Sequence, residues 1–369
     1  MPEPLRILAL EPYFGGPHAD FLDGLRAASR HQWTLLAMPA RHWKWRMRGA
    51  AIHLAREAAP LSRRGFDLVF ASDFLNAADW RALAPAALAR LPLITYFHEN
   101  QLSYPLEPGQ RRDPQFGFIN LATAQASTQL WFNSAFHRDA LLAAWRALLA
   151  KMPDFVPPGL VDGLAAKSLV MPPGANLAPF APGAARSRRE APLTILWNHR
   201  WEFDKNPEAF FDVLFFLAEE RVPFRLAVLG EAMRKWPPVF EKARKRLADR
   251  LVQFGYVPKR EAYEQQVCRA DVAVSTAFHE FFGLPMIEAI AGGCFPLMPA
   301  RLSYPEIVPP EMQSVFFYND PRELRIKLTK LLRGKGPWDL AAKLTEHVQQ
   351  YDWSRRAKAF DAALERAAG

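Results

Sequence analysis

The sequence predicts an α/β fold made of two doubly wound domains. Short apolar runs alternate with helical patterns along most of the chain, and this alternation is typical of a mostly parallel sheet. The alternation stops in a segment rich in Ala, Pro, Gly and Arg, at residues 178–192, and then restarts. The length of 369 residues is also what two domains of ordinary size require.

The amino-terminal domain is predicted to span residues 1–180. Its first buried strand is the apolar run at 5–10, and a turn containing Gly15 and Gly16 leads into an amphipathic helix at 19–29. Helical patterns separate the further predicted strands, which are 33–37, 68–71, 93–97 and 129–132. Ligands of such sheets bind at the carboxyl ends of strands, so polar residues that follow strands are the first candidates for a site.

A linker is placed at 181–192 and the carboxyl-terminal domain at 193–350. The strands predicted in this domain are 194–197, 225–229, 251–254 and 272–275. The predicted helices are 207–220, 239–248, 260–269 and 285–291. Residues 351–369 contain a last helix, which we expect to pack back on the amino-terminal domain. Two domains of this kind are expected to face each other across a cleft.

The charge of the chain indicates an anionic partner. The net charge is +9 and the pI is about 9.6, which suits nucleic acid, anionic lipid or a nucleotide phosphate. The two cysteines, Cys268 and Cys294, have neither a CxxC partner nor a histidine at ligand spacing, so a zinc site or a disulfide framework is not expected.

We expect no metal, no cofactor and no integral membrane association. The sequence contains no Asp-x-Asp pair, which is the simplest carboxylate arrangement for a divalent cation that holds a diphosphate. No apolar run reaches the roughly 18 residues of a membrane span, and the apolar run at 6–10 is too short for a signal peptide. These observations predict a cytoplasmic protein.

The most informative stretch is 280–288, Glu-Phe-Phe-Gly-Leu-Pro-Met-Ile-Glu. Glu280 would end a loop between a strand and a helix, and Glu288 would lie about two turns into that helix. Gly283 lets the backbone approach a ligand, and Pro285 suits the first turn of a helix, whose N–H groups attract a phosphate. One carboxylate could then bind the sugar and the other the ribose of a nucleotide-sugar. The alternative is two ordinary surface acids.

Other polar groups also follow predicted strands. His98 follows 93–97, and its imidazole could bond a sugar hydroxyl or stabilise developing charge. Arg200 and Lys205 follow 194–197 and could neutralise a diphosphate, although a solvated salt-bridge cluster is the alternative. Gly230 ends the strand at 225–229 and, like the Gly15-Gly16 pair, could allow close approach of a ligand or simply form a turn.

A basic segment at 41–48 interleaves cations with two indoles. Nucleic-acid bases can stack on aromatic side chains while Arg and Lys meet phosphates. The alternative is a partly buried helix with a basic outer face. The candidate RNA-binding residues of this segment are Arg41, Trp43, Lys44, Trp45, Arg46 and Arg48.

These motifs together resemble the family 4 retaining glycosyltransferases of the GT-B fold. A closer similarity is to the tRNA-queuosine α-mannosyltransferases, and the stretches that carry it are 15–18, 39–48, 96–102, 197–202 and 279–283. The resemblance implies transfer of mannose from GDP-mannose to the cyclopentenediol of queuosine in the anticodon of an aspartate tRNA. It also implies front-face displacement with retention of configuration, in which the leaving phosphate helps to accept the proton.

The resemblance implies a role for each matched residue. Arg200 and Lys205 would hold the diphosphate, and Glu288 would bind the ribose hydroxyls. Glu280 and His98 would be the catalytic residues that contact the transferred sugar. The remaining donor-binding residues would be Gly15, Gly16, Gly230, Phe282, Gly283 and Leu284. Two other functions also fit the sequence: a family 4 enzyme with a lipid or small-glycan acceptor, and a non-enzymatic RNA-binding protein on a transferase scaffold.

Overall fold

The computed structural model describes residues 3–107, 109–180, 191–231 and 236–369. The chain divides into two compact units, of which the first combines Met1–Ala175 with Trp353–Gly369 and the second is Asn176–Asp352. The first boundary therefore lies at Ala175 rather than at 180. The predicted linker at 181–192 falls outside the described residues except for Ala191 and Pro192.

The first unit is built on a six-stranded sheet. Its strands are β1 (Arg6–Phe14), β2 (Gln32–Pro39), β3 (Leu68–Ser72), β4 (Leu93–Phe97), β5 (Gln129–Phe132) and β6 (Ser168–Val170). They lie in the order β2-β1-β3-β4-β5-β6, and these pairings are parallel. Every residue of β3 and β4 is buried, which explains why both strands appear in the sequence as mainly apolar runs, with Ser72 and Thr95 as their polar members.

Helices connect these strands. They are α1 (Pro17–Ala28), α2 (Trp43–Ala58), α3 (Ala77–Leu83), α4 (Ala86–Ala89), α5 (Pro114–Ala126), α6 (Ala135–Leu149) and α7 (Leu160–Ala166). Local sequence determines several starts: the side chains of Asn76, Asp113 and Ser134 accept hydrogen bonds from N–H groups in the first turns of α3, α5 and α6.

The second unit contains another six-stranded sheet. Its strands are β7 (Thr194–Trp197), β8 (Arg225–Leu229), β9 (Leu251–Gly255), β10 (Val272–Val274), β11 (Phe295–Pro299) and β12 (Phe317–Tyr318), in the order β12-β11-β10-β7-β8-β9. Its helices are α8 (Pro207–Glu219), α9 (Val239–Arg246), α10 (Arg260–Arg269), α11 (Leu284–Ala291), α12 (Tyr304–Ile307), α13 (Gln313–Phe316), α14 (Pro321–Leu332) and α15 (Trp338–Val348). The named strands and helices of the sequence analysis are present, but β6 of the first unit and β11 and β12 of the second were not predicted.

The last helix, α16 (Trp353–Ala368), completes the first unit. Phe360 of α16 packs against Phe21 and Trp131, with 5.7 Å between ring centroids in each pair. The Asp361 carboxylate accepts a 2.6 Å hydrogen bond from Ser29 Oγ. The first unit thus takes a core helix from the far end of the chain. Within the described ranges, none of the helices has the length and apolar character needed to cross a bilayer.

Candidate active site

In the second unit, predicted site residues lie where the strand order reverses. From β7 the chain continues to β8 and β9 on one side, whereas β10 lies on the other side of β7. The loop after β7 carries Arg200 and Lys205, and the loop after β10 carries Glu280. Open α/β sheets bind ligands at such a switch point, beside the carboxyl ends of the strands.

Lys205 is buried and held by three acceptors. Its Nζ lies 2.9 Å from the His279 carbonyl oxygen, 3.1 Å from Asp204 Oδ2 and 3.4 Å from Glu280 Oε2. Burial alone would lower the pKa of Lys205, but the Glu280 and Asp204 carboxylates outweigh burial and raise this pKa. The cap residue Asn206, whose side chain accepts from Ala209 N–H, follows directly and starts α8. Lys205 is therefore a charged group in a fixed position.

Arg200 differs from Lys205 in its environment. Its side chain is 52% exposed and pairs with Glu202 at 3.2 Å. The alternative of a solvated salt-bridge cluster describes this contact, but it is wrong for Lys205 and Asp204, which are both buried. Of the two predicted cations, Arg200 is thus the one that solvent and a ligand can reach.

Glu280 is an ionised carboxylate rather than an exposed surface acid. Its side chain is 15% exposed, and Oε1 accepts from the Phe282 N–H at 3.5 Å. Burial would raise the pKa of Glu280, but Lys205, His199 and His279 outweigh burial and lower this pKa. The carboxylate is therefore charged at neutral pH and suited to accepting hydrogen bonds.

The turn after Glu280 starts α11. Gly283 is the N-cap, and its φ of 101° lies in the left-handed region, which favours glycine. A Cβ at this position would lie 3.0 Å from the Tyr304 side chain. Phe282 is buried, and Leu284 is partly buried as the first residue of α11. A helix start of this kind leaves N–H groups without intrahelical partners and can attract a phosphate.

Glu288 lies in the second turn of α11 and is buried. Its Oε1 accepts a 2.6 Å hydrogen bond from Arg260, and its Oε2 accepts a 2.7 Å hydrogen bond from the Tyr263 hydroxyl. The alternative of an ordinary helix-surface acid is therefore wrong. Sequence reasoning predicted the helix that carries Arg260 and Tyr263 but missed both residues, because the pattern does not say which face of α10 meets α11.

Two of the candidate glycines, Gly230 and Gly15, lie close to other atoms of the protein, so a side chain would not fit there. Gly230 has a φ of 129°, and a Cβ there would lie 2.0 Å from the His199 carbonyl oxygen. Backbone of the protein itself thus approaches Gly230 closely, as a turn requires, and the donor contact of Gly230 stays a prediction. At Gly15 a Cβ would lie 2.5 Å from the Ala40 Cβ, whereas Gly16 has a φ of 51° and caps α1.

In the first unit, Glu11 of β1, His18 of α1 and Asp73 after β3 lie close to His98, which follows β4. The His98 N–H donates to Asp73 Oδ1 at 2.9 Å, and the His98 and His18 ring centroids are 4.1 Å apart. His18 Nδ1 lies 3.3 Å from Glu11 Oε2. Sequence reasoning found His98 but missed Glu11, His18 and Asp73; the position of Asp73 two residues after the predicted strand 68–71 was the available signal.

In this cluster the pKa values of His18 and His98 are shifted in opposite directions. Burial would lower the pKa of His18, but Glu11 and Asp73 outweigh burial and raise it to about 9. Burial and the neighbouring His18 lower the pKa of His98 well below its usual value. Burial also raises the pKa of Asp73 to about 8. A cationic His18 therefore lies beside a neutral His98.

Glu11, His18 and His98 could also hold a metal ion, since their ligand atoms lie within 4.8 Å of one another. One carboxylate and two imidazoles form a donor set that zinc accepts. The Glu11 carboxylate, however, already accepts hydrogen bonds from the Tyr13 N–H at 2.8 Å and from Ser72 Oγ at 2.9 Å. The expectation of a metal-free site stays a prediction.

The basic segment forms the start of α2. Lys44, Trp45 and Arg48 are exposed, as is Arg41 just before the helix, and Trp45 is 60% exposed. Arg46 instead is buried and donates to the Pro39 carbonyl at 3.3 and 3.4 Å. The structure therefore argues against a nucleic-acid contact for Arg46.

Trp43, the remaining residue of this set, packs inward. Its ring centroid lies 4.9 Å from that of Phe116 and 6.3 Å from that of Phe74. Arg48 lies over the Phe116 ring and pairs with Asp113 at 3.0 Å. The predicted alternative, a partly buried helix with a basic outer face, describes this part of α2.

Solved structures define the fold, and a family match indicates the class of protein. Sucrose-phosphate synthase from Thermosynechococcus elongatus is similar with a TM-score of 0.72 at 15% identity, over 98% of both chains. The Anabaena protein HepE in complex with UDP is similar with a TM-score of 0.69 at 15% identity, over 98% of this chain and 100% of that chain. Residues 184–351 match the family "Glycosyl transferases group 1". The chain is a glycosyltransferase of the GT-B fold, as predicted.

The particular family follows from closer relatives. Residues 6–175 match the family "tRNA-queuosine alpha-mannosyltransferase N-terminal". The tRNA-queuosine alpha-mannosyltransferase of Drosophila melanogaster is 35% identical over 335 residues, which are 89% of this chain and 87% of the relative. The chain belongs to the tRNA-queuosine alpha-mannosyltransferase family, which confirms the resemblance. A more distant relative is the GDP-mannose:cellobiosyl-diphosphopolyprenol alpha-mannosyltransferase of Xanthomonas campestris, 23% identical over 64% of this chain and 62% of its own length.

Proposed function

We propose that this protein transfers mannose from GDP-mannose to queuosine in the anticodon of a tRNA for aspartate. The observation that carries the proposal is the 35% identity to the Drosophila tRNA-queuosine alpha-mannosyltransferase over 89% of the chain. The Xanthomonas relative supports the donor, because its name specifies GDP-mannose. The aspartate isoacceptor rests on the resemblance of the sequence motifs. The proposed place of action is the cytoplasm, and no metal or cofactor takes part.

The charges at the switch point of the second unit suit a diphosphate leaving group. Arg200 is half exposed, so its guanidinium can meet a phosphate with little loss of hydration. The start of α11 offers backbone N–H groups to the same anion. Lys205 adds a buried positive charge from the loop that carries Arg200. Positive charge that is already in place when the diphosphate departs lowers the barrier to transfer.

Glu280 is proposed to bind a hydroxyl of the transferred mannose. Its ion pair with Lys205 at 3.4 Å reduces its nucleophilicity, which favours this role over covalent attack. The acceptor hydroxyl then attacks the anomeric carbon on the face from which the diphosphate departs. The new bond to the acceptor oxygen forms as the bond to the phosphate oxygen breaks, and the leaving phosphate takes the hydroxyl proton. His98, kept neutral by burial and by the neighbouring His18, is proposed as a further sugar contact.

The proposed tRNA contacts are the exposed residues of the basic segment. Arg41, Lys44 and Arg48 carry cations on the surface, and the Trp45 indole is exposed between them in sequence. Such a set can bind phosphates through its cations and stack an unpaired base on the indole. Trp43 and Arg46 are proposed to hold this part of α2 in place, since Trp43 packs against Phe116 and Arg46 donates to the Pro39 carbonyl.

The test is a transfer assay with radiolabelled GDP-mannose. Purified protein is mixed with tRNA from cells that make queuosine and, separately, with tRNA from cells that lack it. We expect label only in the first tRNA, and only in its aspartate isoacceptor. Arg200→Ala should abolish most labelling, whereas Arg246→Ala, which removes another exposed ion pair, should not. Equal labelling of both tRNA pools would refute the proposed acceptor.

A lipid-linked acceptor is the second candidate. The Xanthomonas relative favours it, because its name specifies a diphosphopolyprenol acceptor. The net charge of +9 would suit an anionic lipid surface as well as tRNA. Label that appears in added polyprenyl-diphosphate sugars and not in tRNA would support this candidate. The non-enzymatic alternative from the sequence analysis is not retained, because the chain belongs to a glycosyltransferase family.

A further inference from the structure

Two side chains of α10 hold the carboxylate that is proposed to bind ribose. Arg260 Nη2 donates to Glu288 Oε1 at 2.6 Å, and the Tyr263 hydroxyl donates to Glu288 Oε2 at 2.7 Å. Each oxygen of the carboxylate therefore has its own donor on α10. Both bonds are short and go to an ionised group, which places them among the stronger hydrogen bonds in proteins.

Further contacts hold the two donors themselves in position. Arg260 pairs with Glu264 at 3.0 Å and lies over the rings of Phe180 and Tyr263, at 5.3 and 5.1 Å from their centroids. Burial, together with the charge of Glu288, raises the pKa of Tyr263 well above its usual value, so its hydroxyl keeps the proton that it donates.

The same network reaches the loop after β7. Asn198 Nδ2 donates to the Tyr263 hydroxyl at 3.2 Å and to the Pro285 carbonyl at 2.8 Å. Asn198 directly follows β7, and Pro285 lies in the first turn of α11. One set of hydrogen bonds thus ties the end of β7, the face of α10 and the start of α11, which are the parts assigned to the diphosphate and the ribose.

We propose that Arg260 and Tyr263 are positioning residues for the nucleotide of the donor. They fix the orientation and the charge of the Glu288 carboxylate so that it accepts hydrogen bonds from the two ribose hydroxyls. A carboxylate accepts about four hydrogen bonds, so donors from α10 and from a ribose can share it. A carboxylate that is already oriented loses less freedom on binding, which strengthens binding. This inference rests on the proposed function, in which Glu288 binds ribose.

The test compares two ligands that differ only in the hydroxyls concerned. Calorimetry on the full chain gives Kd for GDP and for 2′,3′-dideoxy-GDP. We expect the wild type to favour GDP by about tenfold or more, as hydrogen bonds to a charged group predict. Tyr263→Phe and Arg260→Gln should each reduce this preference several-fold, because each should raise Kd for GDP and leave Kd for the dideoxy ligand nearly unchanged. Glu288→Gln should lose most of the preference.

Glu264→Gln is the matched control. It removes one ion-pair partner of Arg260 but leaves both contacts to Glu288, so the preference for GDP should stay within about twofold of the wild type. In turnover, Tyr263→Phe should raise KM for GDP-mannose while kcat changes little. This split separates loss of donor binding from loss of chemistry.

Three outcomes decide the matter. A reduced preference for GDP in both α10 variants supports the inference. If both variants weaken GDP and dideoxy-GDP equally, the network only ties α10 to α11 and the inference is overturned, while the proposed function stands. If the wild type binds GDP without preferring it to the dideoxy ligand, or binds neither, the ribose role of Glu288 fails as well, and the proposed function needs another donor site.

Discussion

Replacement of Lys205 by Met tests the central electrostatic feature of the second unit. In the wild type the ammonium lies 3.1 Å from Asp204 Oδ2 and 3.4 Å from Glu280 Oε2. The Asp204 and Glu280 side chains are only 1% and 15% exposed, so both carboxylates would lose their counter-ion in a place that water hardly reaches. Removing one partner of a buried ion pair destabilises a protein by about 3–5 kcal/mol.

Arg200→Met is the matched control for the same loop. The Arg200 side chain is 52% exposed and pairs with Glu202, and an exposed pair of this kind contributes about 0–1 kcal/mol. Both variants remove one positive charge from the proposed diphosphate site. We therefore expect both to lose most mannosyl transfer, whereas only Lys205→Met should be strongly destabilised.

Urea unfolding followed by tryptophan fluorescence measures the difference, since Trp197 and Trp201 flank Arg200. With a slope of about 1–3 kcal/mol per M, Lys205→Met should lower the midpoint by about 1 M or more, while Arg200→Met should leave it close to the wild type. A Lys205→Met midpoint equal to that of the wild type would show that the carboxylates do not depend on the ammonium. Equal destabilisation by the two variants would refute the distinction between a buried and an exposed cation.

Further predictions concern packing, pH and metal. The Gly230→Ala variant should unfold at a clearly lower urea concentration than the Gly255→Ala variant. Both glycines have positive φ, but only at Gly230 would a Cβ meet backbone, 2.0 Å from the His199 carbonyl oxygen. Burial, with Lys205, lowers the pKa of His199 from 6.5 to about 4, so the unfolded chain binds the extra proton. Stability should therefore fall as the pH drops from 6.5 to 4, by about 1.4 kcal/mol per unit, and urea titrations of His199→Asn should show a shallower fall. Dialysis against EDTA should leave mannosyl transfer unchanged; a loss that zinc restores would implicate Glu11, His18 and His98.

The alternation of apolar runs and helical patterns predicted most of the fold. Buried parallel strands such as β3 and β4 need apolar side chains on both faces, so consecutive residues of these strands are mostly apolar and can be recognised in the sequence. The strand β11 was not predicted because its sequence contains two prolines, Pro296 and Pro299, which usually mark turns or edges. In the structure Pro296 lies within β11, which pairs with both β10 and β12.

The candidate site could be predicted in part, because its residues follow strands. His98, Arg200, Lys205 and Glu280 all lie in loops at the carboxyl ends of strands, as the sequence indicated. Their surroundings could not be predicted. Whether a lysine next to two acids is solvated or buried depends on how the loop folds over the sheet, and Lys205 is 7% exposed.

The sequence by itself determined most of the segments that become strands and helices, and which chemical groups stand at the strand ends. Those properties depend on neighbouring residues, which local periodicity and turn chemistry describe. Only the tertiary structure decided which loops meet. Ser72 of β3 donates to Glu11 of β1, and the His98 N–H after β4 donates to Asp73 after β3. In the second unit, Arg260 and Tyr263 of α10 donate to Glu288 of α11. Contacts between distant residues arise from packing, and packing sets the pKa of His98 and the fixed charge of Lys205.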